Sequence, residues 1–125
     1  MRTAVSLVIA APVDRVWRAL TVPAEVERWA GVTAHEVPPG YPRAGQHARW
    51  DDRGIMLHDY IVTVVPERLL ASRLTRGSDL VVERYDLRPA GGSATGLRAT
   101  WLGHPGLAEN ATSLHLLQRW CETGR

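Results

Sequence analysis

A chain of 125 residues with 45% apolar and 22% charged residues has the size and composition of one folded domain, and it excludes a disordered segment. All 15 basic residues are Arg, scattered singly, against 13 acidic ones, and there is neither Lys nor Phe. A net charge of +2 spread in this way lacks the basic stripe that nucleic acid requires, so no nucleic-acid partner is expected.

The bias toward Arg, Ala, Gly and Val matches a GC-rich bacterial coding sequence. The single Cys121 has no internal disulfide partner, which fits a reducing cytoplasm, and its place in a helical pattern predicts an inert, half-buried thiol. The apolar start at residues 4–11 is too short for a signal peptide or a membrane span. The expectation is a cytoplasmic protein with no membrane span.

Residues 3–10 read as a strand, with Val5, Leu7 and Ile9 on one face and Ala4, Ser6 and Val8 on the other. Pro12 stops the ladder and a helix follows. Val13, Val16, Trp17 and Leu20 form its apolar stripe, opposite Asp14, Arg15 and Arg18. Thr21-Val22-Pro23 breaks this helix and opens a second short one, which Gly31 ends. After a short strand at 33–37, the run from Pro38 to Gly45 holds too much Pro and Gly for regular structure and predicts a surface loop. Further strands are predicted at 46–51, 55–65, 69–76, 80–88 and 96–102. The turns between them carry Asp51 to Gly54, Pro66 to Arg68, Gly77 to Asp79 and Ala90 to Ser93. His104-Pro105-Gly106 is expected to close the sheet, and residues 108–122 to form a helix with Leu114, Leu117 and Cys121 on one stripe.

One strand, two short helices, a long antiparallel run and a final helix cannot make a parallel βαβ fold. The predicted class is α+β, a single domain over residues 1–125. It has a curved antiparallel sheet of about six or seven strands, two short helices and a C-terminal helix across the sheet's inner face.

Particular residues sharpen this expectation. The run Ala11-Pro12-Val13-Asp14-Arg15-Val16-Trp17-Arg18-Ala19-Leu20-Thr21, followed by Pro23 to Trp29, resembles the opening of the START/Bet v 1-like (SRPBCC) superfamily. Val64, Pro66, Arg68 and Leu69 look like a strand-turn-strand signature of the branch that holds Hsp90-ATPase-activator homologues and polyketide cyclase/dehydrases. Tyr85 to Leu87, Pro89, Gly92 and Thr95 to Leu97 look like that branch's later hairpin. The resemblance spans nearly the whole chain and rests on packing and turn positions, so it specifies fold more than function. It implies a helix-grip domain with an internal cavity for a lipid, a polyketide or an aromatic molecule. In two places the chain departs from the family pattern. The final helix is shorter, which implies a shallower or more open cavity, and Trp101 stands where many members carry a smaller or polar residue.

Side-chain alternation assigns the faces of the strands. Arg84, Asp86 and Arg88 share one face and demand water, which turns Val81, Glu83, Tyr85 and Leu87 inward. A three-residue loop over Gly77-Ser78-Asp79 then sets Arg73 opposite Glu83 as an inward ion pair, and the following hairpin sets Trp101 on the other side of Glu83. For 55–65 two registers are open. A four-residue loop completes a row Tyr60–Arg73–Glu83–Trp101 with His58 on the same face, whereas a three-residue loop inverts the strand and leaves Asp59 diagonal to Arg73. The first is preferred because Tyr and His suit a pocket wall. His47 and Arg49 share a face, either at the cavity mouth or in solvent. The expected ligand-binding residues are Arg49, His58, Tyr60, Arg73, Glu83, Tyr85, Trp101 and Leu114, and the loop 38–45, tipped by Tyr41, is expected to gate the cavity. Arg73–Glu83 reads equally as a purely structural ion pair, and the aromatics as ordinary core. The five histidines lack metal-ligand spacing and no phosphate loop or nucleophile elbow occurs, so no metal and no cofactor are expected.

Three functions follow from this. The first is a binding or carrier protein for a small hydrophobic molecule, acting as monomer or homodimer. The second is a cyclase/dehydrase-type enzyme whose catalytic candidates are Glu83, His58, Arg73 and Tyr60. In that version an Arg73 partner opposes the rise in the Glu83 pKa that base chemistry needs. The third, permitted by the resemblance alone, is a chaperone-regulating interaction module.

Overall fold

The computed structural model of the protein describes residues 2–103 and 107–125, with side chains in the last helix described from residue 112 onward. The chain runs β1 (Arg2–Ile9), α1 (Val13–Thr21), α2 (Pro23–Trp29), β2 (Thr33–Glu36), β3 (His47–Asp52), β4 (Ile55–Val65), β5 (Leu69–Arg76), β6 (Asp79–Pro89), β7 (Thr95–Gly103) and α3 (Leu107–Thr123). The seven strands form one antiparallel sheet in the order β1-β7-β6-β5-β4-β3-β2. β1 leaves the meander order to pair with β7, because α1 and α2 carry the chain from one edge of the sheet to the other before β2 begins. The segment 104–106, expected to close the sheet, lies outside the described residues.

The sheet has one dry face. Ile9, Leu97, Ala99, Trp101, Leu87, Tyr85, Leu70 and Ile61 share a core with Val16, Ala19 and Leu20 of α1 and with Leu114, Leu117 and Cys121 of α3. The three α3 residues recur at the spacing of one helical stripe, so burying that stripe lays the helix against α1, α2 and β1. Its far end is pinned by a polar cluster. Trp120 Nε1 donates to Glu25 Oε1 at 3.1 Å, Arg15 pairs with the same carboxylate, and Arg15 and Arg28 lie 5.4 and 5.1 Å from the Trp120 ring. Burial holds the Cys121 thiol up at about 11, which makes it an inert core side chain.

Two details of the ladder decide which side chains look inward. The β5–β6 hairpin pairs Arg76 with Asp79, so its loop is the two-residue Gly77-Ser78, with positive φ at Gly77 alone. A glycine at the first of two loop positions is what the tight hairpin turn that matches strand twist requires. In β4 the register shifts between Ile61 and Thr63, a bulge that adds Val62 to the strand.

Candidate functional site

The inner face of the sheet, α2, the loop before β3 and α3 together line a half-open cavity of about 960 Å³. Across its floor runs the inward row Ile61–Ser72–Glu83–Trp101. Asp59 stands one inward position further along β4, opposite Leu74 of β5 and Ala48 of β3.

The two-residue turn corrects the expected Arg73–Glu83 pair. Glu83 faces Ser72, while Arg73 faces Val82 on the outer side of the sheet. A slip of one residue moves every side chain of a strand to the other face, and the expected loop was one residue too long. The bulge corrects β4 in turn. Its loop is the three-residue Pro66–Arg68, which turns Val64 inward, and the bulge then reverses the alternation, pairing Tyr60 with Arg73 on the outer face and turning Ile61 and Asp59 inward. The Tyr60–Arg73 pairing therefore exists, but outside the cavity.

On that outer surface four of the candidate residues are found. His47 stacks on Tyr60 with ring centroids 4.3 Å apart, His47 Nε2 lies 2.8 Å from His58 Nδ1, and the Arg73 guanidinium sits 5.3 Å over Tyr60. Arg49 pairs with Glu36 at 2.6 Å on the same side. Arg49, His58, Tyr60 and Arg73 thus do not reach the cavity. Leu114 is 1% exposed and belongs to the core, and it is Thr112, Ser113 and Leu116 of α3 that face the cavity. Glu83, Tyr85 and Trp101 do line it.

Glu83 is held by Trp101, whose Nε1 donates to Oε2 at 2.8 Å. Glu83 is half-buried and lines the cavity. Burial pushes its pKa up from 4.5 to about 7, the Trp101 bond opposes this, and the nearby Asp59 carboxyl raises it further. Burial also drives the Tyr85 phenol well above its ordinary value, with Glu83 adding to the shift, so it stays protonated.

Asp59 has a donor set of its own. Tyr41 reaches in from the loop between β2 and β3 and donates its hydroxyl to Oδ2 at 2.7 Å, while Trp50 Nε1 donates to the same oxygen at 3.3 Å. The Tyr41 ring also meets Trp50 edge-on at 6.1 Å. Burial raises the Asp59 pKa, and the bonds from Tyr41, Trp50 and Ser72 act against it. The other oxygen, Oδ1, is buried with no hydrogen-bond partner. Trp50 and Ser72 were absent from the expected site, while Asp59 entered it only in the less favoured register of 55–65 and Tyr41 only as the tip of the gating loop. The signal that would have found them is Gly77-Ser78 itself, a dipeptide that marks a two-residue hairpin and sets the parity of β5. No sequence rule located the bulge at Val62.

Among the described residues no group of three or more His, Cys, Asp or Glu is placed to hold a metal ion, and no helix is long and apolar enough to cross a membrane.

A family model described as "Polyketide cyclase / dehydrase and lipid transport" matches residues 1–122. Solved structures share the fold at low identity. Protein CV1439 from Chromobacterium violaceum is 18% identical with a TM-score of 0.78, over 97% of this chain and 96% of that one. The Aha1 dimer from Colwellia psychrerythraea is 15% identical with a TM-score of 0.79, over 100% and 98%. DynU16, from the dynemicin biosynthetic locus, is 24% identical with a TM-score of 0.77; 99% of this chain covers 48% of that one. No curated protein matches the sequence.

Proposed function

The chain belongs to the polyketide cyclase/dehydrase and lipid transport family, and we propose that it holds a small, largely apolar ring molecule in the cavity between sheet and helices. The observation that carries this reading is the cavity itself. About 960 Å³ is ample for a ligand of two to four fused rings, and its lining joins aromatic and aliphatic side chains to a polar floor at Asp59, Ser72 and Glu83 and to an ion-paired cluster at Asp52, Arg53 and Arg76. The test is titration with Nile red, a neutral dye whose emission rises in apolar surroundings. Leu74 lines the cavity, so Leu74→Trp fills part of it. The wild type should bind the dye stoichiometrically, and the variant should lose binding while keeping a cooperative thermal transition. Equal binding by both proteins would place the dye elsewhere and sink the proposal.

A second reading, a cyclase/dehydrase-type enzyme, gains support from Glu83. With Arg73 on the outer face, the guanidinium expected to hold Glu83 charged is absent from its surroundings, and the carboxyl is poised at about 7. That is the range in which a carboxyl both takes and returns a proton near neutrality. In this version Glu83 removes a proton next to a ketone, and the Tyr85 hydroxyl, bonded to Glu83 beforehand, turns to the enolate oxygen as Glu83 takes up the proton. Deuterium exchange next to the carbonyl of an aromatic 1,3-diketone, followed by NMR, tests it. The wild type should accelerate exchange and Glu83→Gln should not. Exchange at the rate of buffer alone would leave only the binding role. Likeness to Aha1 at 15% identity is a likeness of fold, so the chaperone-regulating reading gains no support from it.

A further inference from the structure

The cavity floor carries two carboxyl groups and nothing of opposite charge to meet them. Asp59 is 5% exposed, with its Oδ2 engaged by Tyr41 and Trp50, the Ser72 hydroxyl beside the carboxyl, and no donor in hydrogen-bond geometry to Oδ1. Glu83 Oε2 is held by an uncharged indole N–H. Two arginines stand elsewhere on the cavity lining, and both are engaged by Asp52: Arg53 at 3.3 Å and Arg76 at 2.9 Å. The groups that bond the Asp59 and Glu83 carboxyls are the uncharged Tyr41, Trp50, Ser72, Trp101 and Tyr85. Such an arrangement is costly unless something completes it, because a buried carboxylate needs a charge partner and a buried lone pair needs a donor.

From this geometry we infer that the molecule held in the cavity carries a protonated amine, seated between Asp59 and Glu83 with its apolar body against the aromatic walls. An ammonium offers up to three N–H donors, so one group supplies the missing donor to Asp59 Oδ1 and reaches the Glu83 carboxylate as well. The rings of Tyr41, Trp50, Tyr85 and Trp101 border the same space, and indole and phenol faces favour a cation. The same floor disfavours a carboxylate or a phosphate, which would add a third negative group in a poorly hydrated space. A neutral alcohol satisfies one carboxyl but leaves the charge of the other unmet.

This inference rests on the cavity-binding reading and is tested with three probes that share one ring system. These are 1-naphthylmethylamine, 1-naphthalenemethanol and 1-naphthoic acid, titrated by calorimetry into the intact chain at pH 7.5. The amine should bind about tenfold or more tightly than the alcohol, and the acid weakest of the three. Asp59→Asn and Glu83→Gln should each weaken the amine by more than they weaken the alcohol, so that the ratio of the two affinities falls. The comparison of amine with alcohol needs no variant, so a substitution that harms folding does not spoil the test. An alcohol or an acid that binds as tightly as the amine overturns the inference and leaves the cavity reading intact. Failure of all three to bind overturns both.

Discussion

Glu83 shows what one side chain in this cavity costs and offers. Its folded pKa of about 7 lies above the ordinary 4.5, so between these values the native state binds more protons than the unfolded chain. Stability therefore falls as pH rises from about 4.5 to about 7 and is level above that. The full cost in the charged form is at most about 3 kcal/mol. Glu83→Gln removes the titration and should be more stable than the wild type at pH 8, with the two converging near pH 4.5. Urea denaturation at four pH values reads this, and parallel curves for the two proteins would show that Glu83 is not an enclosed acid. Arg73 makes the opposite case. On the outer face it loses little more than its contact with the Tyr60 ring when replaced. Arg73→Leu should change stability by less than about 1 kcal/mol, whereas loss of a partner to a buried carboxylate costs about 3–5 kcal/mol.

At the scale of elements, the fold depends on α3 more than on the sheet alone. Six of the seven strands follow the chain in hairpin order, and their ladders are local. The helix returns from the end of the chain to cover β1, the first strand, and it does so on Leu114, Leu117 and Cys121. Leu114 is 1% exposed, so Leu114→Ala leaves a void that the surrounding side chains fill only in part. The expected loss is about 2–5 kcal/mol in denaturant titration. A loss under about 0.5 kcal/mol would mean that the helix does not close the core. The loop between β2 and β3 was expected to hang over the cavity mouth by an apolar tip. Its Tyr41 passes inward and bonds Asp59, so the loop forms part of the cavity wall.

For the molecule as a whole, an unfilled cavity of this size forgoes contacts that a fully packed core would make. Any occupant that binds only the folded state stabilises it in proportion to the logarithm of its concentration, by about 2.7 kcal/mol at a hundred times its Kd. Thermal melts in rising 1-naphthylmethylamine should therefore shift steadily upward in the wild type. In Leu74→Trp the melt should not move, because the space is already taken. A shift of equal size in both would place the binding outside the cavity.

The sequence by itself determined the fold class, the run of antiparallel strands and the stripe that closes the core, because each is a matter of local period. Two-residue alternation marked Val5, Leu7 and Ile9, and helical spacing marked Leu114, Leu117 and Cys121. It also turned Glu83 inward, because Arg84, Asp86 and Arg88 need water. The partners of Glu83 were decided only by the tertiary structure, since they depend on register between strands. A loop of two residues in place of three moved Arg73 from the floor of the cavity to the surface, and a single added residue at Val62 kept Asp59 beneath it. In a pleated sheet one position changes the face, so the chemistry of this site turned on two residues that never touch it.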